Sequence, residues 1–215
     1  MNPGDCTAIR NSDLPKPEQV QHFLSSRRSA RAFNDRRVSR ETFEYLINAA
    51  NYAPSGYNKC PVNWLVVEKK EDVDLIASLI IDWMKHTTEE NPEAARFWHF
   101  DTIPTAWDKG MKNLITRSAP HIIITHSPAD NPLAPLDCHI AITYLELAAY
   151  SIDLGVCWLG FLLFAQNHPP IKKLLNLPEG HKMCGAALIG YPKYQYHRIP
   201  LRKKPVVSWF NPTPE

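Results

Sequence analysis

The stretch from Leu136 to Leu154 constrains this chain more than any other, because only Asp137, Glu146 and Asp153 are charged along it. A helix that is apolar almost all round must be covered on most sides, in a core or against a second subunit. Gly155 follows at the position where helices commonly stop. Around this helix the periodicity predicts amphipathic neighbours. One runs from about Glu18 to Ser26, with Val20, Phe23 and Leu24 on one face. Another is capped by Ser39, carries Glu41 in its first turn, buries Phe43, Leu46, Ile47 and Ala50, and is ended by Pro54. A third spans about Asp72 to Lys85, and a brief one Ile171 to Leu175. Strands are expected at Trp64 to Val67, His121 to Thr125 and Met183 to Tyr191. Residues 88 to 112 read as short helices whose aromatic residues, Phe97, Trp98, Phe100 and Trp107, cover a pocket. The strands are too few for a doubly wound sheet, so the fold class is α+β, a modest sheet covered by helices. Residues 1–17 read as an extended arm or linker and residues 18–215 as one domain.

Composition excludes several functions. A net charge of +2 in 215 residues is too small to point to nucleic acid or an anionic membrane. No apolar run reaches the roughly 20 residues of a membrane span. The N-terminus carries no basic start followed by an apolar stretch, so a cytoplasmic protein is expected. Five cysteines at irregular spacing suit neither a disulfide framework nor a metal cluster. Cys138, Cys157 and Cys184 read as small buried apolar residues. His121 and His126, five apart on a strand, point to opposite faces.

Four segments carry candidate chemistry. Arg27-Arg28-Ser29-Ala30-Arg31-Ala32-Phe33 clusters guanidinium donors beside a hydroxyl, which suits a phosphate monoester, although a solvated helix start has the same composition. Arg36 and Arg37 lie beyond it in a solvated turn. Ala53-Pro54-Ser55-Gly56-Tyr57-Asn58 is a helix stop. Leu154-Gly155-Val156-Cys157-Trp158-Leu159-Gly160-Phe161 is a glycine-flanked β-type run. The segment from Gly190 to Pro205 ends in the basic cluster Arg202, Lys203 and Lys204, which also fits a plain basic tail.

In order and spacing these segments resemble the nitroreductase family of flavin mononucleotide (FMN) oxidoreductases, over roughly residues 18 to 210. The resemblance implies a central, mostly antiparallel sheet flanked by helices, in a domain-exchanged homodimer with FMN at the subunit interface. It implies that Arg27, Arg28 and Ser29 meet the phosphate or ribityl chain and that Arg31 approaches the N1/O2 edge of the ring. A cation there favours the reduced flavin, which is anionic at N1. Pro54, Ser55 and Gly56 would lie along the flavin with Asn58 nearby, and the backbone N–H of Leu159 or Gly160 would face N5. Arg202, with Lys203 and Lys204, would close on the phosphate. Cys60 stands where the family often has Gln, and Leu159 where some members carry Glu. Several stretches, among them Tyr144-Leu145-Glu146-Leu147-Ala148-Ala149, resemble members in which an iron–sulfur ferredoxin domain precedes the nitroreductase domain.

The activity implied by the resemblance is two-electron reduction of a small electron-poor aromatic, such as a nitroaromatic or quinone, at flavin N5. The electron donor would be NAD(P)H or a ferredoxin-type protein. Alternatives keep the flavin but change the reaction, to a dehydrogenase or a reductive dehalogenase, or make the chain a non-catalytic electron relay. No side chain is identified as a catalytic acid or base, no metal is expected, and neither nucleic acid nor membrane is an expected partner.

Overall fold

Asn63–Val67 (β1), His121–Pro128 (β2), Gly155–Trp158 (β3) and His181–Gly190 (β4) pair antiparallel in the order β1-β2-β4-β3. In this computed structural model residues 4 and 6–210 are described, and they form two compact units. One is Arg27–Gln195, which holds the sheet; the other combines the segments before and after it. The terminal unit contains α1 (Pro17–Ser26), on which Val20 and Leu24 are exposed.

In the main unit, helices cover both sheet faces, as an α+β domain requires. They are α2 (Arg40–Ala50), α3 (Lys70–Glu90), α4 (Pro92–Phe97), α5 (Thr102–Asp108), α6 (Ala134–Tyr150), α7 (Gly160–Phe164) and α8 (Pro169–Leu175). Strand alternation sorts the core. Ile122, Ile124, Ala186 and Leu188 pack with α3, through Val73, Ile76, Ile80 and Met84, and with Leu162 and Ile171. Ile123, Ala187, Ile189 and Val156 face the other way and pack with Phe43 and Leu46 of α2 and Ile142, Leu145 and Ala149 of α6. Ser39 caps α2 by accepting from the Thr42 N–H at 3.2 Å. His121 and His126 do face opposite ways. The first meets Phe43, and the second pairs with His181 at 2.9 Å between Nδ1 atoms.

Several expectations need correction. Helix α2 ends at Ala50 rather than at Pro54, because a turn already begins at Asn51. Helix α6 ends at Tyr150, and the left-handed residue after it is Asp153, with φ of 61°. Gly155 is therefore not a helix terminator. It is the first residue of β3, where a Cβ would lie 2.5 Å from the Ala30 Cβ. Helix α6 is covered on most sides, as its sequence asks, and leaves one stripe open in the single chain. Leu136, Ile140 and Tyr144 stay exposed along one stripe, while Ala141, Ile142, Leu145 and Ala149 are buried on the other side.

Gly155→Ala is expected to destabilise the fold by about 1–3 kcal/mol, because Ala30 has no flexible atom to move aside. Chemical denaturation should show a lower midpoint at unchanged slope.

His121 accepts a hydrogen bond from the Val38 N–H at Nε2 (3.0 Å), which requires the unprotonated nitrogen. Burial lowers its pKa, and burial followed by the His181 charge lowers that of His126. In each case the unfolded chain takes up the proton first as pH falls. Stability present at neutral pH is thus lost on going below the unfolded value near ~6.5. Stability measured from pH 7.5 to 5 should decline, and His121→Gln should flatten that slope by up to about 1.4 kcal/mol per pH unit.

Candidate functional site

Residues 30–34 are held as an extended strip beside β3 and the chain after β4. The Ala30 N–H donates to Val156 O (3.0 Å), the Asn34 N–H to Tyr191 O (3.0 Å) and the Lys193 N–H to Ala32 O (2.9 Å). Ala30 and Phe33 are buried, so the Arg31 side chain between them turns outward. There it lines a cavity of about 280 Å³ with Arg117, Cys157, Leu159, Gly160 and Phe161. Leu188 forms its floor, and Trp98, Trp158 and Phe164 give it aromatic walls. Trp98 and Phe164 pack at 5.1 Å, backed by the buried Phe100. Of the aromatics expected to cover a pocket, Trp98 is the one that lines this cavity. Trp107 packs into the α3 core and carries Lys112 over its ring.

Arg117 lies outside the four segments that the sequence singles out. It and Ser118 are both left-handed, with φ of 55° and 61°, and each such non-glycine residue costs about 1–2 kcal/mol. The strain is held by neighbours: the Arg117 N–H donates to Asn113 O (2.9 Å), and the Arg117 carbonyl accepts from the Phe33 N–H (3.3 Å). That second bond ties the Arg117 turn to the strip carrying Arg31. Burial pushes the Cys157 thiol pKa up, against the opposing pull of the two guanidiniums. Two consecutive left-handed non-glycine residues leave no mark in composition, so no sequence signal pointed to Arg117.

The N–H of Leu159 is committed, donating to Ala186 O at 2.8 Å. Gly160 is the first residue of α7, so its N–H has no intrahelical acceptor. A Cβ on Gly160 would meet nothing within 4 Å, so a flat ligand can approach the backbone there. Between the two candidates for a backbone donor, the geometry favours Gly160.

Arg27 does not line this cavity. Its Nη1 lies 2.7 Å from Glu146 Oε1 of α6, in a pair whose acid side chain is only 10% exposed. Arg28 and Ser29 are half-buried beside it. Pro54, Ser55, Gly56 and Asn58 lie elsewhere. Ser55 Oγ accepts from the Cys60 N–H (2.9 Å), and the Gly56 N–H donates to Asp137 Oδ1 (3.0 Å). Pro54, Ser55 and Asp137 line a separate cavity of about 20 Å³, while Asn58 is exposed with φ of 55°. Arg202, Lys203 and Lys204 are exposed and belong to the terminal unit.

Replacing Glu146 by Leu would strand the partly buried Arg27 charge. The expected loss is about 2–3 kcal/mol, with the double variant Arg27→Met/Glu146→Leu recovering most of it. Urea unfolding of the two singles and the double gives the coupling directly.

Comparison with known proteins bears on this geometry. A provisionally named NADH dehydrogenase/NAD(P)H nitroreductase of Archaeoglobus fulgidus is 26% identical over 176 residues, 82% of this chain and 87% of the relative. An iodotyrosine deiodinase of Haliscomenobacter hydrossis is 27% identical over 190 residues, 83% and 82% respectively. A nitroreductase crystal structure with bound FMN, from Bacteroides fragilis, superposes with a TM-score of 0.68 at 22% identity, covering 88% of this chain and 95% of that one. The family whose members share this sheet and these helices matches residues 24–191, and the chain belongs to it: the Nitroreductase family.

Proposed function

We propose that this chain binds FMN in the cavity between Arg31, Arg117 and Gly160. With it, the protein would reduce small electron-poor aromatics, such as nitroaromatics or quinones, by two-electron transfer. The observation that carries this reading is the convergence of two guanidiniums and an uncommitted backbone N–H on one aromatic-walled cavity. The donor set suits the group: fixed cations for an electron-rich ring edge, a single N–H for a ring nitrogen, and flat apolar walls for stacking. When bound, FMN supplies hydride chemistry at N5. The rest is the work of the chain. Arg31 and Arg117 stabilise negative charge at the pyrimidine edge, and the Gly160 N–H orients the ring. Arg28 and Ser29 offer donors to the ribityl chain and phosphate, with Arg27 held in place by Glu146. Trp98 and Phe164, packed on each other, form a wall against which a planar acceptor would lie.

A homodimer completes the site in this reading. The cavity is at the small end of ligand pockets. Pro54 and Ser55, the other candidate flavin contacts, line a different cavity of the same chain, so a second copy would have to supply them. The exposed Leu136, Ile140 and Tyr144 stripe of α6 offers the apolar surface for that association. NAD(P)H is the proposed donor, with the Archaeoglobus relative's name in support; a ferredoxin-type donor is the alternative. Reductive dehalogenation is the second reading, favoured by the similarity to the Haliscomenobacter deiodinase.

Mass spectrometry of the released chromophore should give FMN; FAD, or no flavin after reconstitution, would overturn the proposal. In fully loaded protein, Arg31→Gln and Arg117→Gln should each slow anaerobic reduction by NAD(P)H roughly ten- to thirtyfold, about 1.4–2 kcal/mol. Arg36→Gln, whose guanidinium lies over the Tyr191 ring, should leave that rate unchanged. A nitroaromatic, a quinone and a halogenated phenol assayed side by side separate the two readings.

A further inference from the structure

The pairing of β2 with β4 shifts between Thr125 and His126. Thr125 faces Gly185 whereas His126 faces Met183, which leaves Cys184 as an extra residue in β4. Such a bulge re-aims a side chain. Here it turns Cys184 to the sheet face that Gly185 already presents to α6. A Cβ on Gly185 would lie 2.4 Å from Ile142 Cδ1, so the missing side chain lets α6 approach closely. Cys138 lies four residues before Ile142, one turn away on the same helix face. The close approach therefore sets Cys138 against Cys184, and the two pack in one buried cluster with Ala134 and Val62. Both are free thiols, and the Cys184 Sγ lies 3.6 Å from the Lys182 carbonyl.

We propose that Cys138 and Cys184 form a redox-active thiol pair, a modification site at which hydrogen peroxide closes a reversible disulfide between α6 and β4. The roles of the two sulfurs differ. Cys184, re-aimed by the bulge, is the more accessible of the two, 6% exposed against 0% for Cys138, and the adjacent Cys138 thiol lowers its pKa while its own is pushed up. Cys184 is therefore the nucleophile and Cys138 the resolving thiol.

The steps balance. The Cys184 thiolate attacks one peroxide oxygen; an S–O bond forms, the O–O bond breaks, and the departing hydroxide takes up the proton that Cys184 had released. The Cys138 thiol then attacks the sulfenic sulfur, an S–S bond forms, the S–O bond breaks, and a second water leaves. Two thiols are oxidised by two electrons and one peroxide becomes two waters. Asp137, next to Cys138 in sequence, holds the Gly56 N–H, so strain from the new bond passes directly to the segment containing Pro54 and Ser55.

The test uses the full-length protein as purified with its cofactor, treated with stoichiometric hydrogen peroxide under native conditions and then alkylated and digested. Tandem mass spectrometry should find a Cys138–Cys184 linked peptide that disappears on treatment with dithiothreitol. In Cys138→Ser the linked peptide should be lost completely, and dimedone should trap a sulfenic adduct on Cys184. Circular dichroism before and after treatment ensures that only folded protein is scored. Because the parent protein is itself assayed, a variant that fails to fold does not rescue the idea. Peroxide products confined to the exposed Cys6 and Cys60, or a linked peptide that appears only as the fold is lost, would overturn it.

Discussion

Two glycines facing each other across β3 and β4 hold the candidate site together. Gly155 pairs with Gly190, and neither position has room for a side chain. A Cβ on Gly155 would meet Ala30 at 2.5 Å, and one on Gly190 would meet Pro120 at 2.7 Å and Phe33 at 3.2 Å. Into the groove they leave, the chain lays the strip carrying Arg31. The start of β2 comes into contact there too, directly after the Arg117 turn. Both guanidiniums at the cavity thus descend from one steric fact, that two strand ends are bare enough for a third extended segment to lie on them. Backbone hydrogen bonds then fix the register of that segment, with Ala30 and Phe33 buried and Arg31 exposed toward the cavity.

This dependence explains what could and could not be read from the sequence. Periodicity locates the long core helices and the strands, because burial on one face leaves a repeat of 3.6 or 2. The ends are harder. Glycine after an apolar run stops a helix more often than it opens a strand, and Gly155 does the rarer thing. What distinguishes the cases is a neighbour distant in sequence, Ala30. Arg31 and Gly160 are legible because their segments resemble those of a family. Arg117 is not, because its place depends on consecutive left-handed residues that any local scale assigns a low weight. The Arg27–Glu146 pair joins residues 119 apart, and no window along the chain could contain it.

Helix α6 shows how one element can serve several segments at once. Asp137 and Glu146 are nine residues apart, which puts them roughly 180° from each other around the helix. The exposed stripe of Leu136, Ile140 and Tyr144 runs between them on one side, and the core residues Cys138, Ile142 and Leu145 on the other. Each carboxylate at the boundary is buried and each holds a different candidate segment: Glu146 takes Arg27, and Asp137 takes the Gly56 N–H. Buried acids at these borders cost desolvation and are kept only when a donor meets them.

The consequence is geometric. Any surface that covers the apolar stripe of α6 must lie between the basic segment on one flank and the segment containing Pro54 and Ser55 on the other. If the cover is a second copy related by a two-fold axis, each copy brings its own two flanks to the same seam, and the flank of one meets the opposite flank of the other. A site split between two cavities of one chain is then reunited across the seam. In the proposed two-fold arrangement, the two separate cavities of the single chain, the exposed stripe between them and the two buried acids that border it would share one explanation. The helix whose sequence asks for cover in a core or against a second subunit would then be the axis along which the proposed site is divided.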